Sequence, residues 1–275
     1  MATRRKSAAN TAMPNYINEI IEQPTDPLGG ASGRKRLFNV QFLAKEDNAE
    51  FPFTAANEIV AAQLGITLGL NVPAVFSYRI DGKSLVFIQM VDRDPEIVKG
   101  PPASSPALQQ HVHDHPDEVH AAIVFDLFIA NNDRAFGPIR RNLAIDHRKR
   151  LFLYDHGNAC FYRNRLQAGI VAGIPRLKAV AANLQALFDM KQKNHYWEFL
   201  TDWNLVETWC DRIRQLPDFV IQSAVDRIPD YLAQPTAAER SALTEFLVAR
   251  KGYLLDHIIE RAELFAGLPK RGNHA

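Results

Sequence analysis

Residues 125–161 read FDLFIANNDRAFGPIRRNLAIDHRKRLFLYDHGNACF. An almost wholly apolar helix, Val119 to Ala130, runs into the polar turn Asn132-Asp133-Arg134. Asn142 then opens a short strand, Leu143-Ala144-Ile145. After the turn-like run Asp146–Arg150, a second strand, Leu151–Tyr154, is closed by Asp155-His156-Gly157. In an antiparallel hairpin the start of the first strand lies beside the end of the second, so Asn142 and Asp155 meet at its open end. An amide oxygen next to a carboxylate suits Mg²⁺, which takes hard oxygen ligands and keeps positions for phosphate and water. Asp133, brought to the same end by the loop 134–141, is placed to accept a hydroxyl proton. A base followed by two metal ligands is the order that phosphoryl transfer requires. Asp and Asn are also ordinary turn residues, so the reading depends on what lies upstream.

Upstream, the strand-like segment Leu37–Lys45 carries Phe38, Val40 and Phe42 on one parity. Leu43 and Lys45 share the other face, which puts an apolar roof for a purine two residues from a cation. Thr54–Leu68 has helical spacing and Gly69 stops it. Glu58 lies early in that helix, at the cleft edge, where it would pair with Lys45. Gly29-Gly30-Ala31-Ser32-Gly33 precedes the strand, and the backbone amides of such a run can cradle phosphates. No GKS or GKT follows, so it is not a Walker A loop. Each feature alone is commonplace: a solvated Lys, a surface Glu, a turn. Their order carries the argument.

The rest of the chain frames that order. Val72–Ile80 and Ser84–Val91 read as a hairpin about Asp81-Gly82. Residues 93–118 are polar and Pro-rich and read as a linker or surface excursion. Within this stretch and just beyond it, His111, His113, His115 and His120 have spacing that Zn²⁺ could use. No Cys accompanies them, and a solvated loop is the simpler reading. From Arg176 onward the periodic segments 176–191, 205–216, 217–228 and 237–264 are helical. Trp197, Trp203 and Trp209 read as core packing rather than a substrate platform. Strands first and helices later indicate an α+β protein. We divide it into a disordered basic tail (1–20), a nucleotide-binding N-lobe (21–92), the polar excursion (93–118) and a helical C-lobe (119–275). The net charge of +1 among 275 residues argues against direct nucleic-acid binding. No apolar run is long enough to span a bilayer, no secretory h-region follows the N-terminus, and two cysteines make no disulfide framework. A cytoplasmic protein without membrane contact is the expectation.

The ordered series resembles the HipA-like kinases of the protein-kinase-like superfamily, in particular the compact subgroup without HipA's extra N-terminal domain. Five passages carry the resemblance: FLAK (42–45), NEIVAAQLGITLGLNVPA (57–74), FDLFIANNDR with NLAI (125–134 and 142–145), LFLYDHGNACF (151–161) and the ending 228–254. It implies a bilobal kinase-like fold, with a small mainly-β N-lobe bearing one helix and a larger helical C-lobe. It also implies an ATP- and Mg²⁺-dependent phosphotransferase acting on a Ser/Thr or other hydroxyl of an unidentified protein or small molecule. In that frame Gly29, Gly30, Ser32, Gly33, Leu43 and Lys45 hold ATP, and Gln89-Met90-Val91 is the hinge against adenine. Glu58 pairs with Lys45, Asp133 is the base, Asn142 and Asp155 bind Mg²⁺, and Ser32 falls where such kinases autophosphorylate. Asp126 reads as a buried acceptor for loop backbone N–H groups, and His156 as a residue orienting the Asp155 turn. The loop from Asp133 to Asn142 departs from the family pattern through the inserted AFGPIRR. A nucleotide-binding pseudokinase and a non-enzymatic interaction module are the alternatives.

Overall fold

The computed structural model describes residues 21–23, 37–39, 42–80, 83–89, 96–97, 106–134, 142–146, 148–162, 164–166, 169–187 and 195–270. The tail 1–20, the glycine run with Gly29, Gly30, Ser32 and Gly33, the hinge pair Met90-Val91 and the insertion 135–141 lie outside them, as does the Gln89 side chain.

The first third is built of strands around one helix. β1 (Ile21–Gln23) pairs antiparallel with β2 (Leu37–Asn39). β3 (Phe42–Glu46), β4 (Val75–Ile80) and β5 (Lys83–Gln89) form an antiparallel sheet in the order β3-β5-β4. The single strand expected over 37–45 is thus two. Alternation along β5 sends Val86 and Ile88 inward, where both are buried. The opposite parity, shared across the register with β3 and β4, stacks Phe76 on Phe87 on the outer face, with Phe42 edge-on to both.

Helix α1 (Thr54–Thr67) lies on the sheet's inner face and has ten buried residues. Its N-terminus has no side-chain cap from its own N-cap residue, Phe53. Asp47, from the preceding loop, supplies the acceptor instead and takes the Ala55 N–H at 2.8 Å. The C-terminus closes in a Schellman turn, with Leu70 N donating to Gly65 O and Gly69 N to Ile66 O. Gly69 sits at φ +78°, which explains the Gly there.

The remainder is mostly helical. α2 (Pro106–Asp114) and α3 (Pro116–Phe128) occupy part of the stretch expected to be a linker. Pro116 at the first helical position starts α3 earlier than its apolar pattern does. α3 is buried along Val119–Phe128 because α5 (Trp203–Arg214), α7 (Ala237–Glu260) and strand β8 (Leu151–Leu153) all pack on it. β8 belongs to a small antiparallel sheet, β6-β7-β8, with β6 (Glu96–Ile97) and β7 (Leu143–Ile145). β9 (Asn164–Leu166) and β10 (Gly169–Val171) form a hairpin ahead of α4 (Gly173–Ala182). α4 packs on α7, and it ends earlier than the periodic run to 191 suggested. α6 (Asp218–Asp226) touches both α7 and α1. One apolar core therefore runs from Phe53 and Val60 through α3 to Leu247 and Ile258. The helix nearest the sheet belongs to the same core as the helical part.

Candidate active site

The hairpin β7–β8 is buried on both faces. Leu143, Ile145, Leu151 and Leu153 share one parity, and Ala144 and Phe152 share the other. On the second parity, Ala144, Phe152 and Tyr154 cluster with Ile88 of β5, and Leu43 and Val75 pack against them. An apolar seam thus joins the sheet to the hairpin, with Leu43 on one side. Asn142 lies opposite Tyr154, whose N–H donates to Asn142 O at 3.3 Å. The open end of the hairpin is therefore where two apolar strands around a polar turn placed it.

At that end the backbone turns sharply. Asn142 and Asp155 have positive φ, +40° and +59°. Asn and Asp are the side-chain-bearing residues that tolerate this region best. Gly157 passes so close to α1 that a Cβ would meet Thr54 Cγ2 at 3.0 Å and Glu58 Oε1 at 3.5 Å. Asn57 fixes that approach: its Nδ2 donates to Gly157 O at 2.8 Å, and its Oδ1 accepts the Phe161 N–H at 3.2 Å.

Three sequence-predicted residues converge here. Lys45 Nζ lies 2.5 Å from Glu58 Oε1 and 2.5 Å from Asp155 Oδ1. Glu58 is fully buried, and its Oε2 accepts the His156 backbone N–H at 3.0 Å. Burial alone would push the Lys45 ammonium down, but the carboxylates of Glu58 and Asp155 outweigh it and hold the pKa above the usual lysine value. The sheet, α1 and the hairpin are thus tied at one ammonium.

Asp133 follows α3 and is braced from three sides. Its N–H donates to Asn131 Oδ1 at 3.2 Å, its carbonyl accepts from Asn142 Nδ2 at 2.8 Å, and its carboxylate accepts from Asn158 Nδ2. Asn158, the residue after the DHG turn, was not singled out in the sequence; its place next to that motif was the only available signal.

Asp126 is a correction. Its carboxylate accepts from side chains: Asn131 Nδ2 at 2.9 Å, Arg134 Nε at 2.7 Å and Arg134 Nη2 at 2.8 Å. Arg134 Nη1 donates in turn to Asn142 O and, at 3.1 Å, to Tyr154 O. One buried guanidinium therefore joins α3, the Asp133 turn and both strands of the hairpin at its open end. Two further buried arginines hold the end of α3. Arg250 Nε donates to Leu127 O at 2.8 Å, and Arg176 donates to Ala130 O at 2.6 Å and to Cys160 O. Cations at the last carbonyls of a helix are favourably placed.

His156 ties the Asp155 turn to Glu58 through its backbone amide and not its ring. The ring is buried beside Phe125, and neither nitrogen has a hydrogen-bond partner. Burial, with Arg134 and Lys45 adding to it, holds the imidazole well below its usual pKa. The other histidines are not a loop cluster. His111 is buried in α2 and bonds Glu118 at 3.1 Å, whereas His120 is buried in α3. Among the described residues no group of three His, Cys, Asp or Glu side chains could hold a metal ion. Trp197 and Trp209 are core residues, as expected.

The fold is that of a known kinase structure. The crystal structure of the Helicobacter pylori proinflammatory kinase CtkA is similar over 89% of this chain and 96% of that one, with a TM-score of 0.55 and 17% sequence identity. A chain of the Shewanella oneidensis MR-1 toxin–antitoxin complex of HipA, HipB and operator DNA is looser, with a TM-score of 0.44 and 11% identity over 83% of this chain and 62% of that one. No protein-family model and no curated protein matches the sequence. The small sheet lobe and larger helical part make this a protein-kinase-like fold, as the resemblance implied. No helix among the described residues is long and apolar enough to cross a membrane.

Proposed function

We propose that the chain is a phosphotransferase of the kinase type that moves the γ-phosphate of ATP to a hydroxyl, Ser/Thr being the expected acceptor class. The observation that carries this reading is Lys45. It reaches across from the sheet to grip Glu58 on α1 and Asp155 from the hairpin, within a kinase-like fold. Adenine would lie against Leu43, which packs at the edge of the apolar seam of Ile88, Ala144, Phe152 and Tyr154. Lys45 then points at the phosphates. The acceptor oxygen attacks the γ-phosphorus, its proton passes to the Asp133 carboxylate, and the bond to the bridging β–γ oxygen breaks, releasing ADP. Asn158 holds that carboxylate in place through its amide.

The donor set suits Mg²⁺. The Asn142 amide nitrogen is committed to Asp133 O, so its oxygen is the end left for a cation, and Asp155 adds a carboxylate. Bound there, the ion would neutralise charge on the phosphates. The test is transfer of label from γ-labelled ATP with Mg²⁺ to the chain itself or to protein acceptors, alongside ATP binding by calorimetry. We expect Asp133→Asn to keep binding and lose transfer, and Asp155→Ala to lose Mg²⁺-dependent binding. Transfer by Asp133→Asn at the wild-type rate would remove Asp133 as the base. Binding without transfer in the wild type would make the chain a pseudokinase, and no ATP binding would make it an interaction module.

A further inference from the structure

Away from the Lys45 centre lies a cavity of about 310 Å³, at the lower bound of the size range of small-molecule sites. Leu68 and Leu70 from the end of α1, Ala121 of α3, and Leu151 and Leu153 of β8 give it an apolar interior. Trp209 and Arg212 of α5 line it as well, with the Arg212 guanidinium 4.4 Å over the indole.

The charged groups around this cavity have hydrogen-bond partners, with one exception. Glu118 accepts the Leu151 N–H at 2.7 Å and bonds His111. Asp117 accepts the Trp209 indole N–H at 2.8 Å. Arg150 donates to Asp146 at 3.2 and 3.3 Å. Arg212 is exposed and has no carboxylate partner among the described residues. The cation–π contact with the indole holds the guanidinium at the cavity wall and leaves its N–H groups for a ligand.

We propose that this cavity binds a small amphipathic anion, its apolar body against the leucines and its carboxylate, sulfonate or phosphate on Arg212. The site is placed to influence the Lys45 centre. It is bounded by the helix that carries Glu58 and by the strand that leads into Asp155. The loop after α1 is tied to β8 by Leu153 N donating to Asn71 O at 2.9 Å, and to the turn between β7 and β8 by Asn71 Nδ2 donating to Asp146 at 2.9 Å. The inference does not depend on phosphoryl transfer, and its test reads binding alone.

The probe is anilinonaphthalene sulfonate, titrated into the full chain and followed by its fluorescence, with uncharged phenylnaphthylamine as control. Saturable binding of one equivalent is expected. Arg212→Gln should weaken the sulfonate roughly tenfold or more, the loss of a charge-assisted hydrogen bond, and leave phenylnaphthylamine unchanged. Ala121→Phe, checked for folding by circular dichroism, should exclude both. Mg-ATP should not compete with either. Absence of saturable binding, equal sulfonate affinity in wild type and Arg212→Gln, or competitive displacement by Mg-ATP would each overturn the assignment, the last by locating the probe in the nucleotide cleft.

Discussion

Replacing Arg134 by Met tests how the Asp133 loop is held. The Arg134 and Asp126 side chains are only 1% and 2% exposed, and they meet through two N–H···O bonds. Methionine fills most of the guanidinium's volume but leaves the Asp126 carboxylate with Asn131 alone, and it strips a donor from Asn142 O and Tyr154 O. Removing one partner of a buried pair costs about 3–5 kcal/mol. At roughly 2–3 °C per kcal/mol for a chain this long, the thermal midpoint should drop by about 6–15 °C. If the cost comes from the stranded carboxylate, removing it as well should recover much of the loss. The double variant Asp126→Leu/Arg134→Met should then lose only about 1–3 kcal/mol, the cost of the orphaned carbonyls and amide. The assay is a double-mutant cycle by urea denaturation, followed by circular dichroism and tryptophan fluorescence. The coupling between the two sites should be about 2 kcal/mol or more. Additive losses, or a single-variant cost below about 1 kcal/mol, would refute the claim that this pair braces the loop.

Other outcomes follow from the same geometry. Asn158→Ala should lower the rate of phosphoryl transfer roughly tenfold or more with little change in KM for ATP, because it removes the Asn158 hydrogen bond from the Asp133 carboxylate without touching the seam; an unchanged kcat would show that Asn158 does not position Asp133. His120 is held neutral: Nδ1 donates to Pro116 O at 2.7 Å, Nε2 accepts two backbone N–H groups at 3.1 Å, and burial lowers its pKa. Its folded pKa lies below the unfolded value of about 6.5, so its contribution is present above that pH and is lost as pH falls. Urea titrations should show stability declining below pH 6.5 by up to about 1.4 kcal/mol per pH unit for this group, with a shallower slope in His120→Gln. Asp47 behaves oppositely. Burial pushes its pKa up to about 6, so ionisation costs stability as pH rises from about 4 to 6. Asp47→Asn keeps the oxygen for Ala55 N–H and should add up to about 1 kcal/mol at pH 7.5, after allowing for its solvent exposure, and nothing at pH 4; a stability loss at pH 7.5 would contradict this.

Much of the architecture could be read from the chain because it rests on local rules. Periodicity marks α1 and α5–α7, Gly69 stops α1, and two apolar strands around the polar turn 146–150 set a hairpin whose register brings Asn142 and Asp155 to one end. Lys45 and Glu58 were legible as candidates because each sits on a predictable element near a cleft. Their meeting at 2.5 Å, together with Asp155, belongs to the folded chain. The same holds for the braces. The sequence has 32 Lys and Arg, and nothing local marks Arg134, Arg176 and Arg250 as the ones that fold inward. A cation is buried when carbonyls or a carboxylate from distant segments converge on it, and that convergence is a property of packing, not of neighbours in sequence. The polar stretch before α3 misled for the same reason. Its composition is that of a surface loop, yet His111 and Glu118 gain partners only once β8 and α3 are assembled. Local chemistry thus determined which residues could serve a phosphate-transfer centre. Tertiary structure decided which of them meet and which buried charges hold them there, because long-range pairing depends on distances that no short window of sequence contains.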